Sequence, residues 1–371
     1  MVGCDTPAAD AEAPVRGSGG GPRRRVAVVG LGIGLAHVIA YKELRDRFEV
    51  VSVCDPDEAL AQQTAGGLRG VAVDSFDRIV ERDDLDVVSV CTPPHLHLDQ
   101  CRRLLASGKH VVCEKPLVGS LADVDALAAA EAAAARRLMP VYQYRFGGGV
   151  QAVRRLVDAG LAGAPNAAAA EVAWRRRPEY YAGWRGRWAT ELGGVVLSHA
   201  LHSLDLLTFL LGPAHRVFAR LATRSNPIET EDTAAITIEH EGGALSTLSA
   251  TLGSTPEVSR LRVCFERLTA ESNHDPYDFP SDPWAITGDT DGDQAAVDAV
   301  LAGFEPGPEG WTGQLARFDD ALRRGLPLPV TLADARAGIE VATACYRSAR
   351  TGTDVELPVR AEDPDYRGWW R

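Results

Sequence analysis

The sequence is short of sulfur, of cationic side chains and of long apolar runs, and each shortage excludes a class of protein. Its seven cysteines, at 4, 54, 91, 101, 113, 264 and 345, are odd in number and contain no C-x-x-C pair. That pattern supports neither a disulfide framework nor a zinc site, and Cys54, Cys91 and Cys113 fall in apolar stretches where cysteine acts as a small buried hydrophobe. A reducing, cytoplasmic setting is the expectation. No apolar run approaches the roughly 18–20 residues that a membrane-spanning helix needs. The N-terminal stretch is rich in Ala, Gly, Pro and Arg without an apolar h-region, so it is not a secretory signal, and residues 1–24 are expected to be a disordered leader. Against 51 Asp and Glu stand 39 Lys and Arg, a formal net charge of -12. Neutralising phosphates takes clustered Lys and Arg, so nucleic acid is excluded as a partner. The acidic balance suits a cationic substrate and equally suits plain solubility.

What is present fits a two-domain soluble protein: 371 residues, 45% hydrophobic and 24% charged. From Arg25 to Phe146 short apolar runs (Arg25–Val29, Glu49–Cys54, Asp86–Cys91, His110–Cys113, Val141–Tyr144) alternate with helical stretches. Continuous apolar strands separated by helices predict a parallel sheet covered on both faces, a doubly wound α/β domain over residues 25–146. Beyond it, longer alternating strands (Ala168–Trp174, Arg216–Ala222, Thr233–His240, Ala244–Leu252, Arg260–Glu266) predict a large, mostly antiparallel sheet. Glu241-Gly242-Gly243 reads as a hairpin turn between two of these strands. Helices at Thr312–Arg324 and Leu332–Arg350 are expected to pack on that sheet, and Ser272–Gly292 to be a loop. Residues 147–371 are therefore read as an α+β domain.

Gly30-Leu31-Gly32-Ile33-Gly34 follows a strand and opens a helix, the context in which a glycine turn lets backbone N–H groups cradle a pyrophosphate. The third glycine of the usual pattern falls one residue early, at Gly34 rather than at Leu35. Asp55 ends the second strand, where a carboxylate accepts from ribose hydroxyls and repels a 2′-phosphate; the expected cofactor is NAD rather than NADP. Thr92 and Pro93 end the fourth strand on the same ligand-binding edge. Of His95 and His97, which follow, one is expected to line the cofactor (His97) and the other to be solvated; no third ligand lies nearby for a metal. Glu114-Lys115-Pro116 ends the fifth strand, and a lysine there donates to a substrate oxygen and stabilises a developing alkoxide.

The succession G-x-G-x-G, T-P-P-H-x-H, E-K-P and then G-G-x-x-x-x-x-x-x-H-x-x-D resembles the Gfo/Idh/MocA oxidoreductases from Arg25 to about Leu357. The resemblance implies a Rossmann domain followed by an open-sheet domain that carries the substrate site and the contacts of a homodimer or homotetramer. It implies that Lys115 binds the reacting oxygen and that His202 is the acid/base. Imidazole suits that role because its unperturbed pKa lies near neutrality. Many relatives carry Asp where this chain has Ser198. Serine cannot hold a negative charge, and Asp205 then becomes the candidate to orient His202. Ser198 to Leu211 reads as one helix with Ser198 and His202 on one face and His199 on another, where His199 either packs or bonds substrate. Arg185, after Trp184, reaches either the pyrophosphate or the substrate. Tyr144 and Arg145 resemble the segment that faces substrate, and Tyr180 and Tyr181 form an aromatic wall or pack a loop. The terminal Tyr366, Trp369 and Trp370 cap either the sheet or a neighbouring subunit.

The expected reaction is hydride transfer between a nicotinamide and a secondary alcohol or ketone of a sugar, amino sugar or cyclitol. Abundant Ala, Arg and Gly with two Met and few Lys suggest a GC-rich genome, and with the acidic charge this points to an amino sugar or aminoglycoside. The alternative is a non-enzymatic, NAD(P)-binding sensor of the same fold, against which the pairing of Lys115 with His202 argues.

Overall fold

The computed structural model describes residues 21–281 and 283–369. Most of the expected leader, with Cys4, and the terminal Trp370 lie outside the described residues.

Six parallel strands, β1 (Arg24–Val29), β2 (Phe48–Cys54), β3 (Ala72–Val73), β4 (Val87–Val90), β5 (His110–Cys113) and β6 (Leu138–Pro140), lie in the order β3-β2-β1-β4-β5-β6. Strand order reverses between β1 and β4, the crevice where ligands bind in such sheets. The connecting helices are α1 (Gly34–Glu43), α2 (Glu58–Gly66), α3 (Phe76–Glu81), α4 (His97–Ala106) and α5 (Leu121–Ala134). Three of them start where a short polar side chain takes an otherwise orphaned N–H: Asp57 accepts from Leu60, Ser75 from Arg78 and Ser120 from Asp123. The last strand was expected at Val141–Tyr144 but ends at Pro140, and Gln143–Phe146 is a 3-10 turn. The Gln314 side chain causes the change. It donates to the Pro140 carbonyl at 2.7 Å and accepts from the Tyr142 N–H at 3.1 Å, which draws the chain out of the sheet.

The second domain opens with α6 (Gly148–Asp158), β7 (Pro165–Arg175), α7 (Trp188–Glu191), α8 (Val195–Ser198) and α9 (Leu201–Leu211). Strands β8 (Ala214–Ala222), β9 (Thr233–His240), β10 (Leu245–Thr251), β11 (Gly253–Phe265), β12 (Leu268–Glu271) and β13 (Ala285–Gly288) follow. Then come α10 (Asp291–Leu301), α11 (Gly310–Arg324), α12 (Leu332–Thr351) and β14 (Val355–Glu356). The strands form an eight-stranded sheet in the order β13-β12-β11-β7-β10-β9-β8-β14. Only β7 and β10 run parallel; the other neighbours are antiparallel, with Glu241–Gly243 making the β9–β10 turn as expected. The expected loop 272–292 contains β13, which pairs with β12. Buried and exposed residues alternate along β9 and β10, so one face is covered and the other is bare. The covering helix α9 is apolar almost all round and buried along nearly its whole length, as a helix held between two layers must be. No single described helix is long and apolar enough to cross a membrane.

α12 packs on β8 and α9, but α11, also expected on the sheet, returns to the first domain and packs on α1 and the 143–146 turn. Its anchor is the wholly buried Asp319 carboxylate, which meets Arg24 at 2.9 Å, Arg323 at 2.7 Å and Arg47 at 3.8 Å. Removing one partner of a buried charge cluster strands the others in a poor solvent. Asp319→Ala should therefore cost about 3–5 kcal/mol in urea unfolding. A loss below about 1 kcal/mol would class the cluster with ordinary surface pairs.

Candidate active site

The glycine turn is built to receive a dinucleotide. Gly30 has φ +87, and a Cβ there would stand 2.6 Å from the Cys91 carbonyl oxygen at the end of β4. Gly34 does the close packing usually given to the third glycine: its Cβ position lies 3.0 Å from Val28 and 3.3 Å from Cys91 side-chain carbons. The one-residue shift thus moves the glycine without losing its purpose, and Leu35 is left 38% exposed at the rim. Above Gly32 the space is open, and α1 starts at Gly34, with Ile33 at its N-cap giving no side-chain bond and no acidic residue in its first turn. Its first N–H groups are left for an anion. Asp55 accepts from the Leu31 N–H at 2.6 Å and the Asp57 N–H at 2.8 Å, which braces the loop and leaves lone pairs for ribose hydroxyls. These features fit NAD.

On the adjoining edge the residues divide between those that face the crevice and those behind it. Thr92 and Pro93 stand half-buried at the end of β4, with the Thr92 hydroxyl donating to Gln100 at 2.6 Å. His97, expected to line the cofactor, is buried instead. Its Nδ1 meets the Pro116 and Leu117 carbonyls at 3.0 and 3.1 Å, and its Nε2 meets the Thr92 carbonyl at 2.8 Å, so it clamps the ends of β4 and β5 together. The other histidine, His95, is exposed and bonds the Thr190 carbonyl across the domain boundary at 3.0 Å. Glu114 is likewise buried. Its carboxylate takes His37 at 3.1 Å, the Trp311 indole at 3.0 Å and the Lys115 N–H at 3.0 Å. Burial alone would raise its pKa, but His37, Lys115 and Trp311 bring it down to about 2. It is a fixed anion beneath Lys115.

Lys115 crosses to the second domain, where its Nζ donates to the Ser198 carbonyl at 2.5 Å. Burial lowers its pKa, opposed by Glu114 and assisted by Arg185 and Arg176. The turn that it meets is held from behind by Glu231. That carboxylate accepts from the N–H groups of Gly194 and Val196 at 3.0 and 3.1 Å and from the Tyr346 hydroxyl at 2.9 Å. Only glycine fits at 194, since a Cβ would lie 1.8 Å from the Glu231 carbonyl oxygen. Trp369 stacks on Tyr346 with ring centroids 4.9 Å apart and donates to the Leu192 carbonyl at 2.9 Å. The C-terminal tail therefore backs this turn, while Tyr366 bonds Asp125 and Arg336.

Ser198 and His202 do not share one helix: α8 ends at Ser198, and α9 starts at Leu201 after a bend of 46°. Ser198 donates its hydroxyl proton to the Gly194 carbonyl at 2.7 Å and accepts from His199 Nδ1 at 2.7 Å. A hydroxyl has one proton, so His199 is the Nδ1–H tautomer and its Nε2 lone pair faces the Tyr180 hydroxyl at 3.4 Å. Ser198 thus serves His199 rather than His202. Nor does Asp205 orient His202. Its oxygens bind Arg145 at 2.8 and 2.6 Å, and Arg145 also meets Asp334 at 2.9 Å. Arg145, expected to touch substrate, is instead a buried brace between the 143–146 turn, α9 and α12. His202 is 3% exposed, and its buried Nδ1 has no partner among the described residues. Burial and then Lys115 push its pKa well below the usual histidine range. Tyr144 covers one face of its ring at 4.4 Å and hydrogen-bonds the Tyr277 carbonyl.

The remaining wall is aromatic and cationic. Arg185 lies over the rings of Trp184 and Tyr180, at 4.2 and 4.5 Å from their centroids. Arg176 lies over Trp174 and Tyr180, each at 5.1 Å, and Trp174 meets His199 edge-on at 5.3 Å. Sequence reasoning missed Arg176, Glu231 and Trp311. Arg176 sits in the run Arg175-Arg176-Arg177, which reads as a solvated charge cluster. Trp311 comes from a distant helix, and no local spacing announces it. For Glu231 the only local signal is a pair of acidic residues, Glu231-Asp232, just before a strand.

A dinucleotide cradle and a lysine of the first domain facing two histidines of the second define a nicotinamide-dependent oxidoreductase site, and the comparisons agree. Residues 24–142 match the oxidoreductase family with an NAD-binding Rossmann fold, and residues 150–271 match the GFO/IDH/MocA C-terminal domain. The chain belongs to the Gfo/Idh/MocA oxidoreductase family. It is 26% identical to inositol 2-dehydrogenase 3 of Saccharopolyspora erythraea, over 84% of this chain and 96% of that one. An uncharacterized oxidoreductase of Synechocystis is 25% identical over 58% of this chain and 62% of its own length. The WlbA dehydrogenase from Bordetella pertussis, solved in complex with NADH and UDP-GlcNAcA, superposes with a TM-score of 0.80 at 27% identity. That match covers 91% of this chain and all of the other.

Glu231 provides a pH test of the support behind the catalytic turn. Burial raises its pKa from 4.5 to about 7, against the bonds from Tyr346, Val196 and Gly194. A carboxyl raised on folding contributes stability that is complete below its unfolded pKa and lost as pH rises through the folded value. From pH 4.5 to about pH 8 the wild type should therefore lose up to about 3 kcal/mol relative to Glu231→Gln in urea unfolding. A difference that stays constant across this range would refute the assignment.

Proposed function

We propose that this protein transfers a hydride between NAD and a secondary alcohol or ketone of a sugar, amino sugar or cyclitol. The observation that carries the reading is the bond from Lys115 Nζ to the Ser198 carbonyl. It puts the ammonium at the carboxyl edge of the parallel sheet, beside the turn that leads to His202. The bound dinucleotide supplies the hydride acceptor or donor. Lys115 is in place to hold the reacting oxygen, exchanging a carbonyl partner for the substrate. Its charge then favours the alkoxide character that develops on that oxygen. His202 is neutral in this environment and therefore ready to accept the hydroxyl proton in the oxidising direction; in reduction the proton returns. Tyr144 fixes the imidazole plane by stacking, and the Arg145–Asp205 pair fixes the helix that carries it.

Several finer readings go with this proposal. NAD is preferred over NADP because the Asp55 carboxylate stands where a 2′-phosphate would approach. The six described cysteines are all unpaired thiols, which suits a reducing cytoplasm. A second copy of the chain covers the bare face of the eight-stranded sheet in a homodimer or homotetramer. The non-enzymatic alternative leaves the cationic Lys115 and the unpartnered His202 nitrogen without a purpose.

The test is a pair of substitutions read by two assays. Lys115→Ala and His202→Ala should each lower kcat/KM on a polyol panel by about 10²–10⁴-fold, while NADH fluorescence titration still shows cofactor binding. Near-wild-type turnover in both variants would remove the assignment.

A further inference from the structure

Three cationic side chains gather at the substrate side of the site of an acidic chain. Overall the protein carries -12, yet Lys115, Arg176 and Arg185 all act on His199 as positive neighbours. The nearby carboxylates are already committed. Glu114 lies beneath Lys115 with His37 and Trp311 as partners. Glu257 pairs with Arg176 at 3.4 Å and also takes the Tyr277 hydroxyl. Glu191 accepts from the Gly186 N–H at 2.5 Å, and burial raises its pKa, which weakens it as a counter-charge.

Two donors are left over. Arg185 makes no hydrogen bond or ion pair among the described residues, although its guanidinium is held against the Tyr180 and Trp184 rings. Arg176 Nε is buried without a partner among the described residues. Both guanidiniums rest on the ring of Tyr180, whose hydroxyl meets His199 Nε2. They are therefore fixed in position relative to the catalytic turn. A partly desolvated guanidinium with spare N–H groups is costly alone and strongly favours a carboxylate or phosphate, which it grips with two parallel bonds.

Building on the hydride-transfer reading above, we propose that the substrate is an anionic sugar whose carboxylate or phosphate group is bound by Arg185 and Arg176. The same cations add to the burial that keeps His199 neutral. His199 is held well below the usual range by burial, then by Lys115, Arg176 and Arg185, and an anion seated on the arginines offsets that field. Its arrival eases protonation of His199 in the ternary complex. An amino sugar, suggested by the acidity of the whole chain, would bring a cation into a cationic pocket.

The experiment is calorimetric titration of the wild-type NADH complex with four forms of one ring: D-glucuronate, D-glucose 6-phosphate, D-glucose and D-glucosamine. At least one acid should bind about 10–100-fold more tightly than glucose, the worth of a charged hydrogen bond or two, and glucosamine should bind most weakly. The preferred acid identifies carboxylate or phosphate as the group. Arg185→Gln and Arg176→Gln should each reduce that preference by about tenfold and leave the NADH Kd unchanged. Glucose or glucosamine binding as well as both acids, or neither acid binding, overturns the proposal. Arg185→Gln weakening NADH more than the acid also overturns it, by placing that guanidinium on the cofactor pyrophosphate. Binding is read without turnover, so an acid that binds as expected but never reduces NAD+ would contradict the hydride-transfer reading alone.

Discussion

One bond between the domains organises this protein: the Lys115 ammonium on the Ser198 carbonyl, 83 residues apart in sequence. Each end is fixed by its own buried network. On the Rossmann side, Glu114 is held by His37 and Trp311, and His97 locks the ends of β4 and β5. On the other side, Glu231 holds the Gly194 turn and is backed by Tyr346 and Trp369. α11 adds a second tie, through Asp319 to β1 and through Gln314 to the end of β6. The spacing between the sheet edge at Lys115 and the helix that carries His202 is thereby set by rigid elements rather than by loops, as orientation-dependent chemistry requires.

The site works by excluding water and unbalancing charge. His202 sits almost wholly buried under Tyr144, with neither the aspartate common in relatives nor Asp205 to orient it. Ser198 has been drawn to His199, so the proton held by His202 has no neighbouring carboxylate to share it. Its basicity is lowered by burial first and then by the field of Lys115, against the Glu114 carboxylate. Lys115, Arg176 and Arg185 gather on one side of a chain whose net charge is -12.

Most strands were legible because the periods of the two sheets differ, continuous apolar runs in the parallel sheet and alternation in the antiparallel one, but β6 was expected at Val141–Tyr144 and the short β12, β13 and β14 were not expected. The glycine turn, Asp55 and Lys115 could be placed on the sheet edge because short spacings mark the ends of strands, whereas His202 was singled out only through the resemblance. Contacts made across the fold were not. Nothing local to Val141–Tyr144 shows that Gln314 replaces a strand neighbour. Nothing near Asp205 shows that Arg145 claims it, and a run of three arginines gives no sign that the middle one turns inward. The single helix expected over 198–211 failed because Glu231 and Lys115, both remote, hold its first turn at an angle.

The central claim is that Lys115 and His202 meet on one oxygen in front of the nicotinamide. A crystal structure of the ternary complex with NADH and a turned-over sugar tests it most directly. It should show the reacting oxygen within hydrogen-bond distance of both Lys115 Nζ and a ring nitrogen of His202, with the nicotinamide against the carbon that bears it. A sugar bound away from that pair, or a nicotinamide turned out of the crevice, would contradict it.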